Sequence, residues 1–285
     1  MKKTFIFFMI LALGVALVGC EDDNDVVRYI EVDEAPPAPQ GVYSITGDEA
    51  VYIYWLPVRD DDLDYYGIYW NDEPTGEFEL IGTSSDESYI DYDVENGVTY
   101  YYAVTAVDVN GNESELSYEN VYDTPRPERF DQSLYDFLVY PDDAGFDFSS
   151  GSVVTHNSLS ADIYIDYDIG LQAFFINARD IDTDLQDMGY TQDFDEIGYA
   201  PAEGWSFVGW VEVIVGHTYV IWTRDDHFAK MRVTAADYEN NDNIVFDWAY
   251  QTASADPGRM ELARPEHDEN YLKYEVDTKD MKLIR

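Results

Sequence analysis

The apolar residues of this chain fall in short alternating runs rather than long periodic stretches. Val51, Ile53 and Trp55 share one phase, with Tyr52 and Tyr54 on the other. Tyr66, Ile68 and Trp70 repeat the pattern, and Tyr100, Tyr102, Val104 and Ala106 repeat it again. A period of two puts alternate side chains on opposite faces of a strand, so each run predicts one packed face. No segment carries a 3.6-residue apolar period over three turns, and clusters such as Asn110-Gly111-Asn112 separate the runs. The pattern predicts an all-β chain.

Further along, Ala161, Ile163, Ile165 and Tyr167 alternate with Asp162, Tyr164 and Asp166. Segments 171–178, 205–215, 218–223, 228–234 and 243–252 supply more strands. Arg224-Asp225-Asp226-His227 reads as a four-residue hairpin loop joining two of them. Pro36-Pro37-Ala38-Pro39 and Thr124-Pro125-Arg126-Pro127 are stiff breaks. They divide the chain into an export signal at 1–19, an acidic tether at 20–35, a β-sandwich at 36–124 and a second antiparallel sandwich or half-barrel at 130–264. Residues 265–285 read as a polar tail with one edge strand at 271–276.

At the N-terminus, Lys2 and Lys3 precede an apolar run over 5–17. The run is shorter than the ~20 residues that span a bilayer as a helix, and its small-residue end reads as a cleavage site. Leu17-Val18-Gly19-Cys20 resembles a lipobox, which implies that Cys20 is acylated and becomes the mature N-terminus. Each buried CH₂ of an acyl chain contributes roughly 0.8 kcal/mol, so several chains anchor a protein without a transmembrane helix. Cys20 is the single cysteine, which leaves no disulfide to hold the fold. Glu21-Asp22-Asp23-Asn24-Asp25 resembles the acidic signal that sends some Gram-negative lipoproteins to the outer face of the outer membrane; a hydrated tether is the other reading. The expected address is the cell envelope, as an outer-membrane lipoprotein, with the membrane a partner through its lipid.

Charge changes the picture of partners. The chain has 59 acidic and 16 basic residues, a net of −43. Disordered acidic tails lack aromatics, yet 25 Tyr, 14 Phe and 6 Trp occur here, so the chain folds. Nucleic acid and anionic surfaces are repelled at this charge. The acidity fits either a saline habitat or dependence on divalent cations, and carboxylates are too abundant for any one pair to mark a glycosidase centre.

The first half resembles the fibronectin type III family. The likeness is carried by Trp55-Leu56-Pro57, by residues 62–69 and 97–108, and by Gly111-Asn112-Glu113-Ser114, in the right order. It implies that Trp55 is the core tryptophan of the second strand and Tyr100 the tyrosine-corner residue. No arginine-glycine-aspartate triplet is present, so integrin contact is not implied. In the second half, residues 222–233 with 246–251 are similar to a hairpin and last strand found in secreted β-domains, some of them in haem-scavenging surface lipoproteins.

Catalytic signatures are sparse: there is no Gly-x-Ser-x-Gly elbow, and the one cysteine is committed to the anchor. His217 and His227 flank a predicted strand and stand some ~20 Å apart at its ~3.3 Å rise, too far to share a metal. Asp180-Ile181-Asp182-Thr183-Asp184 copies the start of a calcium loop, but Leu185 and Thr191 stand where an EF-hand needs Gly and Glu. Calcium is thus the one cofactor considered, at Asp180, Asp182 and Asp184. The candidate binding surface is the hairpin bearing Arg224, His227, Phe228, Lys230 and Arg232. Phe228, Lys230 and Arg232 are expected to face outward, with Ala229, Met231 and Val233 inward. The alternative is that these cations pair internally with Asp225, Asp226 or Glu212. The leading expectation is a non-enzymatic binding or adhesion lipoprotein with an unidentified protein or glycan ligand. A haem-type carrier and a glycan-binding accessory subunit are the competing readings.

Overall fold

The computed structural model describes residues 34–253 apart from Asn120 and Asn241, with Leu272 and the backbones of Tyr274–Glu275 and Lys282–Leu283. Cys20, the tether and His267 lie outside the described residues. The described residues form strands, turns and loops, with no helix among them.

The first half folds as the expected sandwich. One sheet pairs β1 (Tyr43–Gly47), β2 (Ala50–Tyr54) and β5 (Ser88–Asp91) in the order β1-β2-β5. The other runs β4 (Glu79–Ser84), β3 (Leu63–Asn71), β6 (Tyr100–Asp108) and β7 (Val121–Asp123), in the order β4-β3-β6-β7. Three strands facing four is the arrangement the fibronectin type III resemblance implies. The alternating positions meet between the sheets: Val51, Ile53, Tyr66, Ile68, Tyr102, Val104 and Ala106 are all buried. Trp55 follows β2 and packs edge-on against Tyr66, with ring centroids 5.2 Å apart. Tyr100 accepts a hydrogen bond at its Oη from the Glu95 N–H at 2.9 Å, closing the crossover before β6.

The second half is a sandwich of two five-stranded antiparallel sheets, not a half-barrel. One sheet has the order β10 (Ser152–Val154), β9 (Gly145–Asp147), β11 (Ile163–Asp168), β12 (Ala173–Ala178), β14 (Trp210–Glu212). The other has the order β13 (Asp184–Tyr190), β15 (His217–Trp222), β16 (Phe228–Ala236), β17 (Asn243–Tyr250), β8 (Glu128–Tyr135). Ala229, Met231 and Val233 do enter the core, where they meet Phe146, Phe246 and Trp248. Perpendicular aromatic contacts tie the sheets together, such as Phe146 to Phe246 at 5.5 Å. Aromatic burial on this scale explains how a chain with no disulfide holds a sandwich. Past it, Tyr274–Glu275 pairs with Lys282–Leu283 as a short antiparallel ladder, β18 with β19.

Between the halves the proline-containing linker is stitched to both sandwiches. The Gly97 N–H donates to the Pro125 carbonyl at 2.7 Å, and the Arg126 N–H donates to the Gly47 carbonyl at 3.2 Å. On the other side the Tyr250 N–H donates to the Pro127 carbonyl at 2.9 Å. Gly97 sits at φ +86°, where a side chain is strained, and a Cβ there would collide with Thr252 of the second sandwich. The two sandwiches therefore touch through a glycine and a linker hydrogen-bonded to both.

Candidate functional site

The hairpin singled out from sequence is present, but its outward face is covered. Residues 191–209, between β13 and β14, run as a strap across the sheet. Phe228 is buried in a small cluster with Trp205, Val220 and Trp222, against which Met188, Ile197 and Ala200 pack. This corrects the expectation that Phe228 is an exposed anchor. Its phase on the strand is outward, as alternation requires, but the strap supplies a second apolar layer above it.

Lys230 and Arg232 fasten that strap. Lys230 Nζ donates to the Phe194 carbonyl at 2.7 Å and to Asp195 Oδ1 at 3.2 Å. It also lies 4.1 Å from the Phe194 ring centroid, a cation–π geometry. Arg232 donates from Nε to Thr191 Oγ1 at 3.1 Å and from Nη2 to the Thr191 carbonyl at 3.0 Å. Arg224 does not join them. It sits in the hairpin turn, with Nε 4.0 Å from Asp162 Oδ1. His227 Nδ1 lies 2.9 Å from the Asp225 carbonyl, its ring against Tyr250 at 5.2 Å. The cations do pair internally, with Asp195, Asp162 and strap carbonyls among their partners.

Two buried carboxylates stand out electrostatically. Glu128 begins β8, its side chain 9% exposed, 3.2 Å from the guanidinium of the linker residue Arg126, which also reaches Asp195 at 3.0 Å. Burial raises Glu128 to about 7 against the opposing pull of Arg126. Burial likewise lowers the Lys230 ammonium, with Arg126 adding to the effect and Asp195 opposing it. Asp162, just before β11, accepts the Phe148 N–H at 3.0 Å. Burial takes it to about 7, helped by the charges of Asp225 and Asp147. For Asp225 burial acts upward, but the hydroxyls of Thr223 and Tyr250 outweigh it and hold the carboxyl below its usual value.

The calcium-like run does not converge. Asp182 N–H donates to Asp180 Oδ1 at 3.1 Å in an Asx turn, whereas Asp184 is fully buried at the start of β13. Among the described residues no group of three His, Cys, Asp or Glu side chains is placed to hold a metal ion. His217 Nδ1 meets Asp187 at 2.9 Å at one end of β15, and His227 lies beyond the other end.

A feature that alternation did not reveal is a cleft of about 780 Å³ at the junction of the sandwiches. Ser44, Thr99, Tyr122 and Arg126 line it from the first sandwich and the linker; Tyr199, Lys230, Gln251 and Thr252 line it from the second. Phe228 and Lys230, two of the five candidate residues, thus contribute to its wall. Tyr122 is 62% exposed and Tyr199 67% exposed. No sequence motif marks this cleft, because it arises where a linker and a strap meet.

No family model matches the chain. Over 109 residues, 38% of its length, it is 35% identical to an amylopullulanase of Thermoanaerobacterium saccharolyticum, of which that stretch is 8%. Over 84 residues, 28% of its length, it is 43% identical to an amylopullulanase of Thermoanaerobacter thermohydrosulfuricus, of which the stretch is 6%. The chain therefore spans under a tenth of the length of these relatives, and its likeness is to a small segment of each. Among solved structures it is similar to a Fn3-like protein from Clostridium thermocellum, at 25% identity and a TM-score of 0.29, covering 34% of this chain and 100% of that one. It is also similar to a beta-1,2-glucanase from Parabacteroides distasonis, at 29% identity and a TM-score of 0.29, covering 33% of this chain and 13% of that one.

Proposed function

We propose that this chain is a non-catalytic, carbohydrate-associated accessory module, displayed at a bacterial cell envelope through a lipid on Cys20. The observation that carries the reading is the homology between a stretch of this chain and a small segment of amylopullulanases. Fibronectin type III-type domains are not catalytic, so what the segment has in common with those proteins is an accessory role. The junction cleft is consistent with this role: hydroxyl and amide side chains line it, and Tyr122 and Tyr199 stand exposed beside them. Pockets of this size, part apolar with a few placed polar groups, are the usual form of ligand sites.

The test is affinity electrophoresis of the full chain through gels cast with pullulan, amylopectin, xylan or hydroxyethyl cellulose, with reducing-sugar release assayed alongside. Retardation in at least one gel, without sugar release, is expected. Unretarded migration in all four, or hydrolysis of any, overturns the reading.

A further inference from the structure

We propose that the junction cleft is the ligand site and that it takes a neutral, linear oligosaccharide, held between the two sandwiches. This rests on the carbohydrate reading above and adds the site, the ligand's charge class and the contact residues.

Charge excludes the alternatives first. Arg126 and Lys230 reach the cleft, but both are engaged: Arg126 with Glu128 and Asp195, and Lys230 with Asp195 and the Phe194 carbonyl. An anionic ligand would find no unpaired cation there, and the chain's −43 charge repels it from a distance. Asp123, the carboxylate on the wall, already accepts the Thr46 hydroxyl at 2.6 Å and the Thr124 N–H at 2.8 Å. A cationic ligand meets one carboxylate there, with no second acid among the lining residues to complete a cation site. What remains on the walls is hydroxyl, aromatic and aliphatic surface with one side-chain amide, that of Gln251.

That surface suits a sugar chain, which has apolar C–H faces and hydroxyl edges. Tyr122 lies on β7 and Tyr199 on the strap, so each sandwich contributes one exposed ring, an apolar body with a polar tip. Tyr101 packs against Tyr122 with centroids 5.8 Å apart and limits the positions its ring adopts. Gln251 is exposed at the second wall, where its backbone N–H is already bonded to the Phe228 carbonyl at 2.8 Å. Its side-chain amide is thus presented from a fixed backbone. The stitched linker sets the spacing of the walls before a ligand arrives, which lowers the ordering cost of binding.

Titration calorimetry of the full chain with maltohexaose, cellohexaose and xylohexaose tests this. One of the three binds, and Tyr122→Ala and Tyr199→Ala each weaken it by about tenfold, as loss of an aromatic contact worth about 1.4 kcal/mol does. Gln251→Trp removes the amide, narrows the cleft and weakens binding. Tyr118→Ala, removing a ring 82% exposed and outside the cleft, leaves affinity unchanged. Melting curves identify any variant that fails to fold, and if Gln251→Trp does so the two tyrosine variants decide. A parent that binds a hexaose as tightly as its tyrosine and Gln251→Trp variants overturns the cleft assignment while leaving the carbohydrate reading intact. A parent that is retarded by a gel but binds no hexaose overturns the cleft assignment alone, and one that binds no hexaose and is unretarded by every polysaccharide gel overturns both.

Discussion

Stability of the second sandwich should fall, not rise, as pH increases from 5 to 8. Glu128 goes from 4.5 to about 7 on folding, and Asp162 from 3.8 to about 7, each mainly through burial. Both folded values lie above the unfolded ones, so between about 4 and 7 the folded chain keeps two protons that the unfolded chain has released. Their contribution is complete below the unfolded values and is lost as pH rises through the folded ones. Each tenfold change in acidity is worth about 1.36 kcal/mol, so from pH 5 to 8 the loss is at most about 2.7 kcal/mol per site, out of about 5–15 kcal/mol for a whole domain. The hydrogen-bond and ion-pair partners of the two groups do not overlap, so the losses should add. The assay is urea unfolding at several pH values in 0.5 M NaCl, which screens the general repulsion of a −43 chain. Glu128→Gln and Asp162→Asn should each flatten the slope, since neither replacement titrates. Stability that climbs from pH 5 to 8, or a slope unchanged in both variants, would refute the burial of these two carboxyls as the cause.

Three further outcomes are expected. Trp55→Ala should lower the stability of the first sandwich by about 3–5 kcal/mol in denaturant titration, the usual range for a buried aromatic; no measurable shift would contradict its position against Tyr66. Lys230→Gln with Arg232→Gln should cost about 1–3 kcal/mol and expose 191–209 to limited proteolysis, because Arg232 alone makes three hydrogen bonds to the strap; a cleavage pattern like the parent's would show that apolar packing holds the strap without them. Cys20→Ala should lose labelled palmitate and leave the membrane fraction, and unchanged labelling would remove the lipid anchor from the proposal.

Alternation made the sheets legible because a strand's geometry converts sequence spacing directly into facing. Tyr66 and Ile68, or Met231 and Val233, need only a period of two to be assigned to a core. The strap escaped for the opposite reason. Phe194, Ile197 and Trp205 have no common period, since a loop lying on a sheet can bury residues at any spacing. Segment 205–215 reads as one strand, yet only Trp210–Glu212 pairs, and Trp205 belongs to the strap cluster. Phe228 shows the consequence: its phase is legible, but its burial depends on a segment more than twenty residues upstream. The cleft escaped likewise, for its walls join β7, the linker, the strap and the end of β17, and no local pattern connects them.

The same logic explains why a rare cation is a poor marker of a binding surface in so acidic a chain. Each basic side chain sits in the field of many carboxylates, so a cation gains by turning inward to whichever carboxylate or carbonyl the fold presents. Arg126, Arg179, Arg224, Lys230 and Arg232 all do so, and each joins segments distant in sequence or braces a loop. Their clustering near the hairpin thus reflects a joint that needs fastening, where the strap, the linker and β16 meet. With these five cations engaged as fasteners and the carboxylates spread over the whole surface, the cleft is set apart by neutral chemistry. There two exposed tyrosine rings, Tyr122 and Tyr199, stand beside hydroxyls and the Gln251 amide.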